Sequence, residues 1–140
     1  MIQLAPLNAV FFDIGGSLGN VTNVNGVRKL RAYASSKPLL KAMGQALGLR
    51  VGVISNVPTD MSIDEVRAML AAAGLLALLD SQAIITSQEA GAEKPDAKIF
   101  EFAAQRIGVP ITQCLYIGED PKEVAGARTA GMAGIIKPSP

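Results

Sequence analysis

The sequence contains no histidine and has a single cysteine, Cys114. Without histidine, an imidazole general base and a histidine-ligated metal site are both excluded. One cysteine cannot form a disulfide within the chain, and Cys114 lies inside the apolar run QCLYIG, where a reactive thiol is not expected. Any catalysis must therefore depend on carboxylates, hydroxyl groups and lysines.

An excess of charge of one sign is also missing. The sequence has thirteen Lys and Arg residues and twelve Asp and Glu residues, so its formal net charge is +1. This balance gives no bias toward nucleic acid or an anionic membrane. The beginning of the chain, MIQLAPLNAVFFD, has no features of a secretory signal, and no apolar run reaches membrane-spanning length. We therefore expect a cytoplasmic protein that forms a single domain over residues 1–140.

Short apolar runs alternate with longer helical patterns, which is typical of βαβ units around a parallel sheet. Five strands are predicted: Asn8 to Asp13, Arg50 to Ser55, Gln82 to Ile85, Gln113 to Ile117 and Gly134 to Ile136. The expected fold class is α/β, a three-layer, doubly wound architecture with a mainly parallel five-stranded sheet.

Four helices are predicted between these strands from apolar spacing, capping residues and terminal glycines. They run from Lys37 to Leu47, from the capping box at Ser62 to about Ala73, from the Asp96 cap to Gly108, and from Pro121 to Gly131. In the first of them, Leu47 is expected to face the core together with Leu39, Leu40 and Met43.

The stretch Val21 to Leu30 interrupts this alternation. There VTNV and VRKL flank Asn25-Gly26, a pair that tolerates the positive φ values of a type I′ turn. We therefore predict a β-hairpin that overhangs the carboxyl end of the first strand.

Ligands of open parallel sheets bind outside the carboxyl ends of the strands, so the residues that follow each strand are the candidates for chemistry. These segments are DIGGSL from Asp13, SN from Ser55, EKP from Glu93 and GED from Gly118.

In this order, the four segments resemble the motifs of the haloacid dehalogenase (HAD) superfamily. FFDIGGSL is similar to a first motif that ends Asp-x-Asp-Gly-Thr-Leu, and VISN to a second motif that ends in Ser or Thr. EKPDAKIF resembles a third motif centred on Lys, and GEDPKE resembles the acidic Gly-Asp-x-x-x-Asp of the fourth, with Glu119 and Glu123 at its acidic positions. The resemblance implies a HAD-like Rossmannoid core.

The resemblance also implies catalytic roles for Asp13, Ser55 and Lys94. Asp13 would attack phosphorus and form an aspartyl-phosphate, Ser55 would hydrogen-bond the phosphoryl oxygens, and Lys94 would neutralise charge and orient Asp13. The residues expected to bind phosphate are Gly16, Ser17, Ser55, Asn56 and Lys94.

A Mg²⁺ cofactor is implied in the same way. Asp13 and the backbone carbonyl of Gly15 would be two of its ligands, and Glu119 or Asp120 would complete the site, since Mg²⁺ prefers oxygen ligands.

The sequence departs from the family pattern at two places. Gly15 replaces the second Asp of the first motif, which in family phosphatases protonates the leaving group and then activates water. General acid–base catalysis contributes roughly 10² to 10⁴ in rate, so turnover of alkyl phosphates should be much reduced. Glu119 replaces an Asp, and its additional methylene displaces the carboxylate by about 1.5 Å.

Only the hairpin follows the first motif, so we expect no cap domain. An open site of this kind suits a phosphorylated small molecule, a macromolecular substrate, or closure by a protein partner or a second copy of the chain.

Each residue also has a simpler interpretation. Asp13 and Ser55-Asn56 could be turn residues, Lys94 could be solvated, and the acidic residues from Glu119 to Glu123 could be carboxylates favoured by a helix dipole.

Three functional hypotheses remain open at the sequence level. The chain is a HAD-type phosphatase of low or specialised activity, or a catalytically silent HAD-like domain that binds a phosphorylated ligand or a protein. The third hypothesis is that DIGGS, which also resembles the phosphate loop of sugar kinases of the actin-like ATPase class, has that role here, which would require a longer, two-lobed chain.

Overall fold

The computed structural model describes residues 6–138. Seven strands are present: β1 (Ala9–Phe12), β2 (Gly19–Val24), β3 (Val27–Ala32), β4 (Arg50–Ser55), β5 (Ile84–Thr86), β6 (Cys114–Gly118) and β7 (Ala133–Ile136). Five helices accompany them: α1 (Ser36–Lys41), α2 (Ile63–Ala72), α3 (Ser87–Ala90), α4 (Ala97–Ile107) and α5 (Pro121–Ala130).

The main sheet has five strands in the order β5-β4-β1-β6-β7, and every neighbouring pair is parallel. The predicted α/β class and five-stranded sheet are therefore confirmed. The chain passes from β1 to β4 and β5 on one side, and then crosses to β6 and β7 on the other. This change of direction opens a crevice beside the carboxyl end of β1, where ligands of such sheets bind.

Alternation along the central strand builds a core on each face of the sheet. Val10 and Phe12 pack with the residues of one hydrophobic cluster, whereas Ala9 and Phe11 pack with the other. The first cluster includes Leu40 of α1 and side chains of α2, and the second includes side chains of α4 and α5. All four β1 residues are fully buried, as expected for a strand covered on both faces.

The predicted hairpin is formed by β2 and β3, which pair antiparallel outside the main sheet. Asn25 and Gly26 have φ values of 53° and 80°, the left-handed backbone that a type I′ turn requires. In the part of the chain that is described, this hairpin is what lies between β1 and α1.

The helix caps also follow the sequence expectation. Ser62 and Glu65 form the reciprocal capping box at the start of α2, and the Asp96 side chain accepts a hydrogen bond from Lys98 N at the start of α4. The expected left-handed glycines end α4 and α5 at Gly108 and Gly131.

The first helix differs from its prediction as one regular helix from Lys37 to Leu47. Helix α1 is followed by a π-helical segment, Ala42–Ala46, in which Leu47 N donates to Ala42 O at 3.1 Å. The wider turn changes the direction of the following side chain, and Leu47 is 64% exposed. The expectation that Leu47 faces the core is wrong.

Cys114 is buried, as predicted from its apolar neighbours. Burial raises the pKa of its thiol to about 11, which suppresses formation of the reactive thiolate. Between residues 6 and 138 there is also no helix both long and apolar enough to cross a membrane.

Candidate active site

Asp13 is positioned by the end of the central strand. It follows Phe12 directly, and its backbone N–H donates to Ile117 O of β6 at 3.1 Å. Its carboxylate oxygen Oδ1 accepts hydrogen bonds from Ile14 N and from Lys94 Nζ, both at 2.8 Å. Within residues 6–138 the other oxygen, Oδ2, accepts no hydrogen bond from the protein, which leaves it available to a ligand.

Lys94 is buried, so the interpretation of a solvated lysine is wrong. Its side chain is 1% exposed, and its ammonium lies 2.8 Å from Asp13 Oδ1, 2.8 Å from Glu123 Oε1 and 2.9 Å from the hydroxyl oxygen of Tyr116. An ammonium has three N–H donors, and three acceptors surround this one. Lys94 therefore pairs with the carboxylates of Asp13 and Glu123, and its catalytic role stays a prediction.

Tyr116 is a member of this cluster that the sequence reasoning missed. Its hydroxyl accepts from Lys94 Nζ and donates to Glu123 Oε1 at 3.1 Å. Burial raises the pKa of this phenol, and the nearby carboxylates of Asp13 and Glu123 raise it further. The hydroxyl therefore stays protonated and serves as a fixed donor. A tyrosine inside the apolar strand CLYIG was the available signal, because a buried phenol usually has a hydrogen-bond partner.

Asn56 holds the backbone of Lys94 in place. Its side-chain Nδ2 donates to Lys94 O at 3.1 Å, and its Oδ1 accepts from Lys94 N at 2.8 Å. Both ends of the amide are therefore engaged in a structural contact. Asn56 also lines the cavity, and its Nδ2 has a second N–H that donates to no acceptor in the described residues, so its predicted phosphate-binding role stays a prediction.

The other residues expected to bind phosphate lie in different surroundings. Ser55 is 8% exposed and lines a cavity of about 340 Å³ together with Asp13, Gly15 and Lys94. Ser17 is fully buried, and its Oγ has no hydrogen-bond partner among the described atoms. Ser17 is not among the residues that line this cavity, and its predicted phosphate-binding role stays a prediction.

The acidic residues after β6 have three different roles. Asp120 Oδ1 accepts a hydrogen bond from Lys122 N at 2.8 Å and caps helix α5, which is the simpler interpretation of this residue. Glu123, three residues later, pairs with Lys94. The Glu119 carboxylate lies over the first loop, in the space that a Cβ atom on Gly16 would occupy.

The donors for a cation at this site are oxygens, which suit Mg²⁺. No cluster of three or more His, Cys, Asp or Glu side chains arranged to hold a metal occurs in residues 6–138. The candidate donors are Asp13, the Gly15 carbonyl, Glu119, whose carboxylate lies against Gly16 of the first loop, and Asp120, of which only Oδ1 is used by the helix cap. The predicted choice between Glu119 and Asp120 as a metal ligand stays a prediction.

Gly16 is required by its conformation, whereas Gly15 is not. Gly16 has a φ of 80°, and its Cβ would come within 1.9 Å of Glu119 Oε1. At Gly15 φ is not left-handed, and a Cβ would meet only Val21 Cγ2 at 4.0 Å, an ordinary contact. A Cβ atom at position 15 therefore requires no rearrangement of its neighbours.

We expect Gly16→Ala to lower the free energy of unfolding by about 1–2 kcal/mol, because an L-residue is strained in the left-handed region. Gly15→Ala is the matched control and should change it by less than about 0.5 kcal/mol. Urea denaturation of both variants measures the difference. Equal midpoints would contradict the strain assigned to Gly16.

Residues 9–131 match the family described as haloacid dehalogenase-like hydrolase. The chain belongs to this family. It is 34% identical over 106 residues to a phosphatase from Mycobacterium tuberculosis, and this alignment covers 76% of the chain and 46% of that protein. It is 31% identical over 115 residues to haloacid dehalogenase-like hydrolase domain-containing protein 3 from Danio rerio, and this alignment covers 81% of the chain and 44% of that protein.

A solved structure of an uncharacterized protein from Listeria monocytogenes serotype 4b superposes on the chain with a TM-score of 0.78. The two are 24% identical, and the match covers 93% of this chain and 78% of that one. This likeness confirms the HAD-like fold. The chain spans less than half the length of the two relatives named above.

Proposed function

We propose that this HAD-like domain transfers a phosphoryl group from a phosphate ester or acyl phosphate to Asp13. The observation that supports it is the contact between the buried Lys94 ammonium and Asp13 Oδ1 at the end of the central strand, beside a cavity of about 340 Å³. A carboxylate that is held at one oxygen and open at the other is oriented for attack. The cavity volume suits a small phosphorylated molecule.

In the proposed step, Asp13 Oδ2 forms a bond to phosphorus while the bond from phosphorus to the leaving oxygen breaks. The leaving oxygen departs with the electron pair of that bond and takes a proton from water, since Gly15 has no side chain to supply one. Water then hydrolyses the aspartyl-phosphate, which releases phosphate and regenerates the carboxylate. A bound Mg²⁺, held by Asp13, the Gly15 carbonyl and either Glu119 or Asp120, would neutralise phosphoryl charge.

The missing acid makes the proposed activity selective. The carboxylate of an acyl phosphate and the phenolate of an aryl phosphate can leave without a proton, so these substrates should phosphorylate Asp13 readily. Alkyl esters should react slowly, because an alkoxide leaves poorly unless it is protonated. Release of phosphate should be slow for every substrate, because position 15 offers no base to the attacking water. The alternative is a silent domain that binds a phosphorylated ligand or a protein partner, and the loss of the side chain at Gly15 is the observation that favours it.

We expect the wild-type protein, incubated with acetyl phosphate and Mg²⁺, to accumulate one phosphoryl group on Asp13. Reduction with borohydride converts an aspartyl-phosphate to homoserine, so peptide mass spectrometry can assign the modified position. Asp13→Asn is the control that should carry no adduct, and Asp64→Asn should react like the wild type because Asp64 is an exposed carboxylate on α2 that does not line the cavity. Absence of homoserine at position 13 in the wild type would favour the silent domain.

A further inference from the structure

Arg28 lies on the face of the hairpin that is turned toward the candidate active site. Along β3 the side chains alternate, and Arg28 shares its face with the buried Leu30, whereas Lys29 and Arg31 lie on the opposite, exposed face. Arg28 and Val21 bring the hairpin into the lining of the cavity that also contains Asp13 and Lys94. The hairpin therefore contributes a cationic side chain to the wall of the site.

The guanidinium of Arg28 is only lightly engaged within the protein. Its hydrogen bond in the described chain is from Nη2 to Asp60 Oδ1, at 3.3 Å. The Asp60 side chain is 77% exposed, and an exposed ion pair of this kind contributes little stability. A guanidinium has five N–H donors in a planar fork, so most of them remain available to a ligand.

The charges of the cavity distinguish Arg28 from Lys94. The three donors of Lys94 are directed to Asp13, Glu123 and Tyr116, which leaves none for a second group on a ligand. Arg28 is the cation of this lining that keeps free donors. The lining also includes apolar side chains, among them Val57, Pro58, Met61 and Met69.

We propose that Arg28 forms a subsite for a second oxyanion, such as a carboxylate, on a small phosphate ester whose phosphoryl group lies at Asp13. The planar fork matches a carboxylate with two parallel hydrogen bonds, and the apolar side chains of the lining suit the carbon chain between the two anionic groups. This inference rests on the proposed function, because it places the phosphoryl group at Asp13.

The test uses two phosphonates that cannot be hydrolysed, with Mg²⁺ present throughout. Calorimetry measures the dissociation constants of 3-phosphonopropionate, which carries a carboxylate, and of propylphosphonate, which has none. Wild type should bind 3-phosphonopropionate about ten- to a hundredfold more tightly, as expected for a charge-assisted pair. Arg28→Gln should remove this preference and leave propylphosphonate binding unchanged.

Arg31→Gln is the matched control, because it removes the same charge from the opposite face of the same strand. It should keep the preference. Asp60→Asn should strengthen binding of 3-phosphonopropionate, since it removes the competing carboxylate from Arg28. If Arg28→Gln retains the preference, or weakens both phosphonates equally, the subsite is wrong while the phosphoryl site stands. If the wild type binds neither phosphonate and forms no adduct at Asp13, the proposed function itself fails.

Discussion

Replacing Gly15 by Asp is expected to raise the steady-state hydrolysis of an alkyl phosphate by about 10² to 10⁴, the usual contribution of a general acid and base. The Cβ atom of the new residue has room in the first loop, because at this position it meets only Val21 Cγ2 at 4.0 Å. Position 15 also lines the cavity that contains Asp13. A carboxyl group is thereby introduced where the leaving oxygen and the attacking water need a proton donor and acceptor.

Comparing an aryl with an alkyl phosphate distinguishes a restored general acid and base from a general improvement in substrate binding. With an aryl phosphate, the wild type should show a burst of one equivalent of phenol followed by a slow phase, because Asp13 is phosphorylated faster than it is regenerated. With an alkyl phosphate no burst is expected, because the first step is already slow. Gly15→Asp should abolish the slow phase for the aryl ester and give its largest gain with the alkyl ester.

Two control variants make the result interpretable. Gly15→Asn has nearly the shape of Asp and cannot transfer the proton, so it should match the wild type. Gly15→Asp combined with Asp13→Asn should lose the gain, because no nucleophile remains. Equal rates for the wild type, Gly15→Asp and Gly15→Asn, measured as phosphate release under the same Mg²⁺ concentration, would show that the missing acid is not what limits this site.

Features of the fold that depend on local physics could be predicted from the sequence. The Asn25-Gly26 turn, the capping box at Ser62 and the Asp96 cap each follow from the conformational preference of neighbouring residues. The buried strands followed from continuous apolar runs, and their parallel pairing placed Asp13, Ser55 and Lys94 around one cavity. The π-helical turn after α1 was not predictable, because the spacing of apolar residues does not reveal an additional residue in one turn.

The finer assignments within the site depended on tertiary geometry. Three carboxylates follow β6 within five residues, and the sequence could not tell that Asp120 caps α5 while Glu123 pairs with Lys94. Which of these carboxylates lies beside Lys94 depends on how α5 is rotated about its own axis relative to the sheet. Arg28 was missed because a cation on a hairpin is ordinarily solvated. The available signal was that Arg28 lies two residues before the apolar Leu30 and therefore on the same face of the strand.

The Lys94 cluster explains why a site with a missing acid can still hold its nucleophile in place. One ammonium with 1% side-chain exposure compensates the carboxylates of Asp13 and Glu123, whose side chains are 16% and 17% exposed. Replacing Lys94 by Met is therefore expected to lower the free energy of unfolding by about 3 kcal/mol, since removal of one partner leaves two partly buried carboxylates uncompensated. Urea denaturation measures this loss, with Lys98→Met, an exposed lysine on α4, as the control that should stay within about 0.5 kcal/mol of the wild type.

A second substitution separates the structural from the chemical role of Lys94. Adding Glu123→Gln to Lys94→Met removes one of the two uncompensated charges, so part of the lost stability should return and the two substitutions should not be additive. Phosphorylation of Asp13 by acetyl phosphate should remain impaired, because Asp13 still lacks the ammonium that orients it. If Lys94→Met is as stable as Lys98→Met, the ion pairs of the cluster contribute no net stability. If the double variant phosphorylates Asp13 at the wild-type rate, Lys94 serves only to neutralise Glu123.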